Sequence, residues 1–335
     1  KESIEINFSE EIETESSLLK KEAVFWVRDM INTPPLDKTP EFFIEKIKNL
    51  NNKVDITIHD EKWLEDNNFG AVLGVAKGSE RKPYFLVGEY NKKAETQIAL
   101  IGKGVMFDSG GLSLKSPSGM ETMKTDMAGA ATAWGVMSLI SKHQIDVGLT
   151  VLTPIVENMP SGSAIRPGDV LTARNGKTIE VLNTDAEGRL IMADALAFAS
   201  EKKPDLICDV ATLTGASYVA LGVEIGAIFS NNKEIENKFM KSTETSGEDF
   251  YPLPLHSEYK KLIDSDIADM KNTGGRFGGA ITAALLLENF VDNLNWVHLD
   301  IAGPARSSNR KGATGFSVLT LFEFFTNFAK NHSEN

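Results

Sequence analysis

Cysteine is almost absent: Cys208 is the single one in 335 residues. That excludes an internal disulfide framework and a zinc site built from cysteines. Cys208 lies in the apolar run Leu206-Ile207-Cys208 and reads as a small core side chain. Histidine is scarce too, with His59, His143, His256, His298 and His332 scattered and no His-Glu-x-x-His pair. Any metal site must therefore be rich in carboxylates. Of the five, His298, on the apolar stretch 296–300, is the one to look for near a site. Uninterrupted apolar runs of the length that spans a bilayer, about 18 residues, are missing, as is a charged start followed by an apolar stretch. The expectation is a cytoplasmic protein with no membrane partner. Positive charge is in deficit, 35 Lys and Arg against 47 Asp and Glu, for a net charge of -12. No basic face stands out, so no nucleic-acid partner is expected.

What is present is a large apolar fraction, 41% of the chain, enough for one large α/β domain or two modest ones. Residues 1–16 form a short acidic segment, and residues 17–335 read as the folded domain. Apolar positions at helical spacing (Leu19, Ala23, Trp26, Met30) predict a helix over 18–31 that stops before Pro34-Pro35. Strand-like runs follow at 54–58, 84–87, 98–101, 147–155, 206–210, 227–230 and 296–301. They alternate with helical segments at 120–141, 190–202, 281–293 and 318–330. This rhythm predicts a mixed, mostly parallel central sheet flanked by helices on both faces. One hairpin breaks it: 170–173 and 178–181 flank Arg174-Asn175-Gly176-Lys177, whose Asn-Gly suits a primed turn.

Chemistry-bearing residues gather where predicted strands end. After the strand at 98–101 come Gly102-Lys103-Gly104 and then Asp108-Ser109-Gly110-Gly111. Ligands of open α/β sheets bind at such carboxyl ends, although an ordinary tight turn would explain the glycines equally well. Lys115 follows. Asp126 lies in an alanine-rich helical pattern, where it caps a helix, faces solvent or needs a cation partner. Asn183-Thr184-Asp185-Ala186-Glu187-Gly188-Arg189-Leu190 joins the hairpin to a helix; capping accounts for one acid but not for both acids and the arginine. Asp108, Asp126, Asp185 and Glu187 would repel one another at the strand ends of a sheet unless divalent cations neutralised them. Two divalent ions supply that charge. Thr212-Leu213-Thr214-Gly215-Ala216, Gly274 to Gly279 and the stretch 303–315 read as close packing or substrate contact; none matches a Walker loop.

Together these segments resemble the catalytic domain of leucyl aminopeptidases, also called cytosol aminopeptidases (peptidase family M17). The likeness runs from about Lys20 to Phe328 and rests on Gly102-Lys103-Gly104, Phe107 to Gly111, Lys115, Thr125 to Ala131, Asn183 to Leu190 and Ala211 to Ala216. The resemblance implies a dinuclear metal site at strand ends. Lys103, Asp108, Asp126 and Glu187 would hold a tightly bound ion, and Asp108, Asp185 and Glu187 an exchangeable one. Zn or Mn is expected, with Mg or Co as the other oxygen-ligated choices. It further implies that Lys115 polarises the scissile carbonyl and that Arg189 holds a bicarbonate acting as base. Met123, Thr212, Leu213, Gly215 and Ala302 would contact the first substrate residue, leucine or another apolar one. As a metal ligand, Lys103 would have to be neutral, its pKa driven down by the ions. Expected partners are peptides with a free N-terminus and five further copies in a homohexamer. Family members carry an additional N-terminal α/β domain, in whose place this sequence has the acidic segment 1–16.

Two other readings compete. A two-metal phosphoesterase would add histidine or asparagine ligands and basic residues for phosphate. A non-catalytic scaffold would have lost a ligand, Lys115 or Arg189, and all seven are present.

Overall fold

The computed structural model describes residues 14–50, 53–307 and 312–332. Most of the acidic segment therefore lies outside the described residues, and helix α1 (Thr14–Asn32) already begins at Thr14. Pro34-Pro35 ends it as the sequence predicts, but its last carbonyls are not left to solvent. Ile31 O accepts from Lys38 Nζ at 3.2 Å and Asn32 O from Lys124 Nζ at 2.6 Å. Cations are favoured at this end of a helix dipole.

Eight strands run in the order β1 (Asp55–His59), β2 (Tyr84–Tyr90), β5 (Gly148–Asn158), β3 (Gln97–Gly102), β8 (Leu206–Ala211), β12 (Trp296–Asp300), β9 (Gly226–Ser230) and β10 (Phe250–Pro252). Strand β4 (Gly104–Asp108) continues from β3 and pairs with the far half of β5. Pairs β3–β5, β3–β8, β8–β12, β4–β5 and β9–β10 are parallel, whereas β1–β2, β2–β5 and β9–β12 are antiparallel. The sheet is thus mixed and mostly parallel. Period-two alternation sends Ile98 and Leu100 to one face of β3 and Ala99 and Ile101 to the other. The first face packs on α1, α2 (Pro40–Lys48), α6 (Ala128–Lys142), α9 (Lys233–Ser246) and α11 (Val318–His332). The second packs on α3 (Glu61–Asp66), α4 (Gly70–Ala76), α7 (Gly188–Glu201) and α10 (Gly279–Glu288). Cys208 is buried in the first core, as its run predicts.

Three local features differ from the sequence expectation. The helix predicted at 120–141 is broken into α5 (Pro117–Met120), a 3-10 turn at Met123–Thr125, and α6. At the break the buried ammonium of Lys38 donates to the carbonyl of Lys124. Asp126 stands before a helix rather than within one. The second difference is β4, hidden in the sequence because Lys103 and the glycines around it read as a turn. The third is the hairpin of β6 (Asp169–Thr172) and β7 (Thr178–Val181), in which Gly176 alone takes positive φ, 86°. A primed two-residue turn needs positive φ at its first central residue, and in type I′ at both, whereas Asn175 has none; here Gly176 N instead donates to Ala173 O at 2.8 Å within a five-residue loop, 173–177. With β11 (Met270–Lys271), this hairpin forms a separate three-stranded sheet. Among the described residues, no helix is long and apolar enough to cross a membrane.

Candidate metal centre

The carboxyl ends of β3, β4, β5, β8 and β12 converge on one side of the sheet. A cleft of about 820 Å³ opens there, lined by Lys103, Asp108, Lys115, Met123, Asp126, Asp185, Glu187, Thr212, Leu213, Gly215 and Ala302, among others. The resemblance thus places ligands and first-residue contacts along one wall system. Arg189 is not among the lining residues.

Lys103 sits where β3 gives way to β4. Its amide donates to Val210 O on β8 at 3.1 Å and its carbonyl accepts from Ala130 N on α6 at 2.8 Å. The backbone being fixed, the side chain runs beneath α7. A Cβ on Gly188 would lie 2.6 Å from Lys103 Cε, so glycine is what lets the lysine through. Its ammonium donates to Asp126 Oδ1 at 2.7 Å and Thr212 O at 3.0 Å, and lies 2.9 Å from Glu187 Oε1. Burial disfavours the Lys103 cation, but Asp126, Glu187 and Asp108 outweigh burial and hold its pKa above the ordinary lysine range. The surrounding side chains alone therefore act opposite to the lowering that coordination requires.

Asp108 ends β4, opposite Asn158 on β5. Its Oδ1 accepts from Gly110 N and from Asn158 Nδ2, both at 2.8 Å, and its Oδ2 lies 2.9 Å from Lys115 Nζ. Gly110 holds φ at 87°, the left-handed geometry that folds the chain back over the aspartate. Asn158 also donates to Thr184 O at 3.0 Å, and Thr184 Oγ1 donates to Gly110 O at 2.7 Å. These bonds tie the loop after β4 to the loop before α7. Asn272, which nothing in the sequence singles out, completes the support: its Oδ1 accepts from Leu182 N and Asn183 N, and its carbonyl accepts from Arg189 Nη1 at 2.7 Å.

The capping alternatives fail. Glu187 and Met127 stand at the N-caps of α7 and α6, and neither makes a side-chain capping bond. Asp126 turns instead to Lys103 and to Thr212 Oγ1, 2.8 Å away, and Asp185 to Lys115 at 2.5 Å. Burial, the largest influence, raises the pKa of Asp108, Asp126 and Asp185. For Asp108 and Asp126, the neighbouring Glu187 adds to it.

Two lysines do not satisfy this set. Asp126 Oδ2 and Glu187 Oε2 are buried with neither a hydrogen-bond partner nor an ion pair, while Asp185 Oδ1 and Glu187 Oε1 meet only the ammonium groups of Lys115 and Lys103. Asp108, Asp185 and Glu187 can each offer an oxygen within 4.8 Å of the others. Converging buried carboxylates with too few donors to satisfy every oxygen suit hard or borderline divalent cations, so the residues fit the ions that the resemblance implies. Arg189 lies behind them, its Nε buried and unpartnered; burial lowers its pKa to about 10, against the pull of Glu187 and Asp300. His298 does not reach the cleft. It is buried on β12 with Nδ1 2.6 Å from Asp209 Oδ1.

A mostly parallel sheet, with a lysine and four carboxylates at its carboxyl edge, defines an α/β protein equipped to bind divalent metal. The comparisons narrow this class. Residues 25–322 match the cytosol aminopeptidase family, catalytic domain, and the chain belongs to that family. A probable cytosol aminopeptidase of Syntrophotalea carbinolica is 48% identical over 305 residues, covering 88% of this chain and 61% of the relative. One from Chloroherpeton thalassium is 46% identical over 312 residues, 90% of this chain and 61% of its own length. The chain thus spans about three-fifths of these relatives. Among solved structures, the bottromycin maturation enzyme BotP is similar at 35% identity and a TM-score of 0.89, over 94% of this chain and 71% of BotP. A structure of BotP in complex with Mn gives 36% identity and a TM-score of 0.90, with the same coverage.

Proposed function

We propose that this chain is the catalytic part of a metal-dependent aminopeptidase that removes an N-terminal residue, leucine or another apolar one, from peptides, using two divalent ions. The observation that carries this reading is the gathering of four carboxylates in one cleft, Asp108, Asp185 and Glu187 each offering an oxygen within 4.8 Å of the others, with Asp126 Oδ2 and Glu187 Oε2 buried and unpartnered. Lys103, Asp108, Asp126 and Glu187 would hold one ion and Asp108, Asp185 and Glu187 the other, Zn or Mn being the leading choices. When bound, such ions supply Lewis acidity toward the scissile carbonyl and lower the pKa of water.

The chain's own residues supply the rest. Lys115 is held by Asp108 and Asp185 at the cleft wall, and these carboxylates keep its pKa above the ordinary value against the opposing effect of burial. It is therefore a permanent cation, able to donate to a carbonyl oxygen as negative charge develops there. Met123, Leu213, Gly215 and Ala302 give the cleft an apolar wall for the first side chain. The unpartnered Nε of Arg189 favours a small anion such as bicarbonate beside the centre. We further propose a cytoplasmic homohexamer, as the family resemblance implies; Leu36, Val219 and Phe277, each more than 80% exposed, are the side chains to examine for burial between subunits.

The decisive assay compares leucine amide with its N-acetylated form, using protein reconstituted with Zn or Mn. Only the free amine should be cleaved. Equal cleavage of both would refute recognition of the N-terminus, and cleavage of neither would favour a scaffold.

A further inference from the structure

Three cationic side chains line the cleft: Lys103, Lys115 and Arg306. Lys103 is committed to Asp126 and Glu187, and Lys115 to Asp108 and Asp185. Arg306 makes no ion pair with any carboxylate among the described residues, although it is half-buried. Among the described residues no carboxylate stands in ion-pair contact to balance its charge, which leaves the guanidinium open to an anionic group entering the cleft.

The backbone that presents it is well held. Arg306 lies on β13 (Arg306–Ser307), paired with β14 (Gly312–Ala313) through Arg306 opposite Ala313. Ala305 N donates to Ile301 O at 3.0 Å, Thr314 N to Ala305 O at 3.2 Å, and the Thr314 hydroxyl to Pro304 O at 2.6 Å. The same turn carries Ala302 into the cleft, its amide bonded to Asp300 Oδ1 at 3.1 Å. Arg306 is thus an uncommitted cation on an anchored turn, on the wall of the cavity that holds the metal-binding carboxylates.

We propose that Arg306 reads a carboxylate of the peptide substrate. This rests on the aminopeptidase activity of that reading but not on its apolar first-residue preference, which an acidic first side chain would replace and a dipeptide C-terminus would leave in place. A planar guanidinium matches a carboxylate through two parallel hydrogen bonds. A peptide lying in this cleft can offer that group from an acidic first side chain or from the C-terminus of a dipeptide. Its amide counterpart has the same shape without the charge, so the contact discriminates between the two.

The test uses non-cleavable ligands in which CH2–NH replaces the first peptide bond, so binding is read whether or not the protein turns over. Calorimetry on the metal-reconstituted protein measures the Glu/Gln pair of such ligands ending in glycine amide, and the Leu-Gly acid/amide pair. Each ligand is titrated into wild type, Arg306→Gln and Arg306→Glu. In one of the two pairs the wild type should favour the charged member, and Arg306→Gln should cut that preference roughly tenfold. Arg306→Glu should invert it, while affinity for the neutral members stays within about threefold. The pair that responds identifies the source of the carboxylate. Identical charged-to-neutral ratios in all three proteins, for both pairs, overturn the proposal. Hydrolysis of ordinary Leu-Gly amide by the wild type is scored separately: its absence alongside an Arg306-dependent ratio would remove the aminopeptidase reading and leave carboxylate recognition standing.

Discussion

Lys38 offers the most quantitative test of the forces in this structure. It is 1% exposed, and its ammonium donates to two backbone carbonyls, those of Ile31 and Lys124, with no carboxylate among the described residues in ion-pair contact. Burial, reinforced by Lys124 and only partly opposed by Asp126, lowers its pKa from 10.5 to about 7. In the unfolded chain the group keeps its proton to high pH, so between pH 7 and 10.5 the unfolded state binds more protons and stability rises with pH. Below pH 7 both states are protonated, and the full cost of burying the cation is present. Across the two units from pH 7 to pH 9, at about 1.4 kcal/mol each, wild type should gain about 3 kcal/mol from this residue alone. Lys38→Met removes the titration and leaves two carbonyls without their donor, a loss of roughly 1–3 kcal/mol for each. Denaturant unfolding of both proteins at pH 6 and pH 9, at one fixed metal concentration, gives the comparison; pH effects on the carboxylates are common to both and cancel. The variant should be clearly the weaker at pH 9, with the gap narrowing by about 3 kcal/mol at pH 6. Parallel stability curves would show that Lys38 does not titrate near neutrality, and the reasoning would fall.

Glu187→Gln, which keeps shape but loses charge at both proposed ion sites, should lower the metal content measured by elemental analysis; a retained two-ion stoichiometry would take Glu187 out of the ligand set. Because the pKa values of Asp108, Asp126 and Asp185 are raised, the folded protein holds protons that the unfolded chain has released, and raising the pH above the usual carboxylate range costs stability. Divalent cations replace those protons, so Zn or Mn should raise Tm more at pH 7.5 than at pH 5, and an equal shift at both values would contradict the electrostatic account. Gly188→Ala places a methyl 2.6 Å from Lys103 Cε. The displaced lysine should cost at least about tenfold in kcat/KM with far-ultraviolet circular dichroism unchanged, and wild-type kinetics in the variant would show the close approach to be unimportant.

The sequence by itself determined the fold class, because strand and helix periodicities are local and each strand's alternation reports two buried faces. It also determined the family: Lys103, Asp108, Asp126, Asp185 and Glu187 stand in motifs whose order and spacing a linear reading can match. Tertiary structure decided which of those residues meet and what holds them. Asn158 and Asn272 were invisible in the sequence because an asparagine acquires meaning only from the carboxylate or backbone it faces across the fold. The break in the helix predicted at 120–141 was equally hidden, as was the contact made there by Lys38 with the carbonyl of Lys124, 86 residues away. The stretch 303–315 stood open in the sequence between close packing and substrate contact; the turn after β12 is what places Arg306 on the cleft wall, in ion-pair contact with no carboxylate among the described residues. Propensity and spacing act between neighbours in the chain, whereas burial, charge pairing and orphaned hydrogen-bonding groups are properties of neighbours in space.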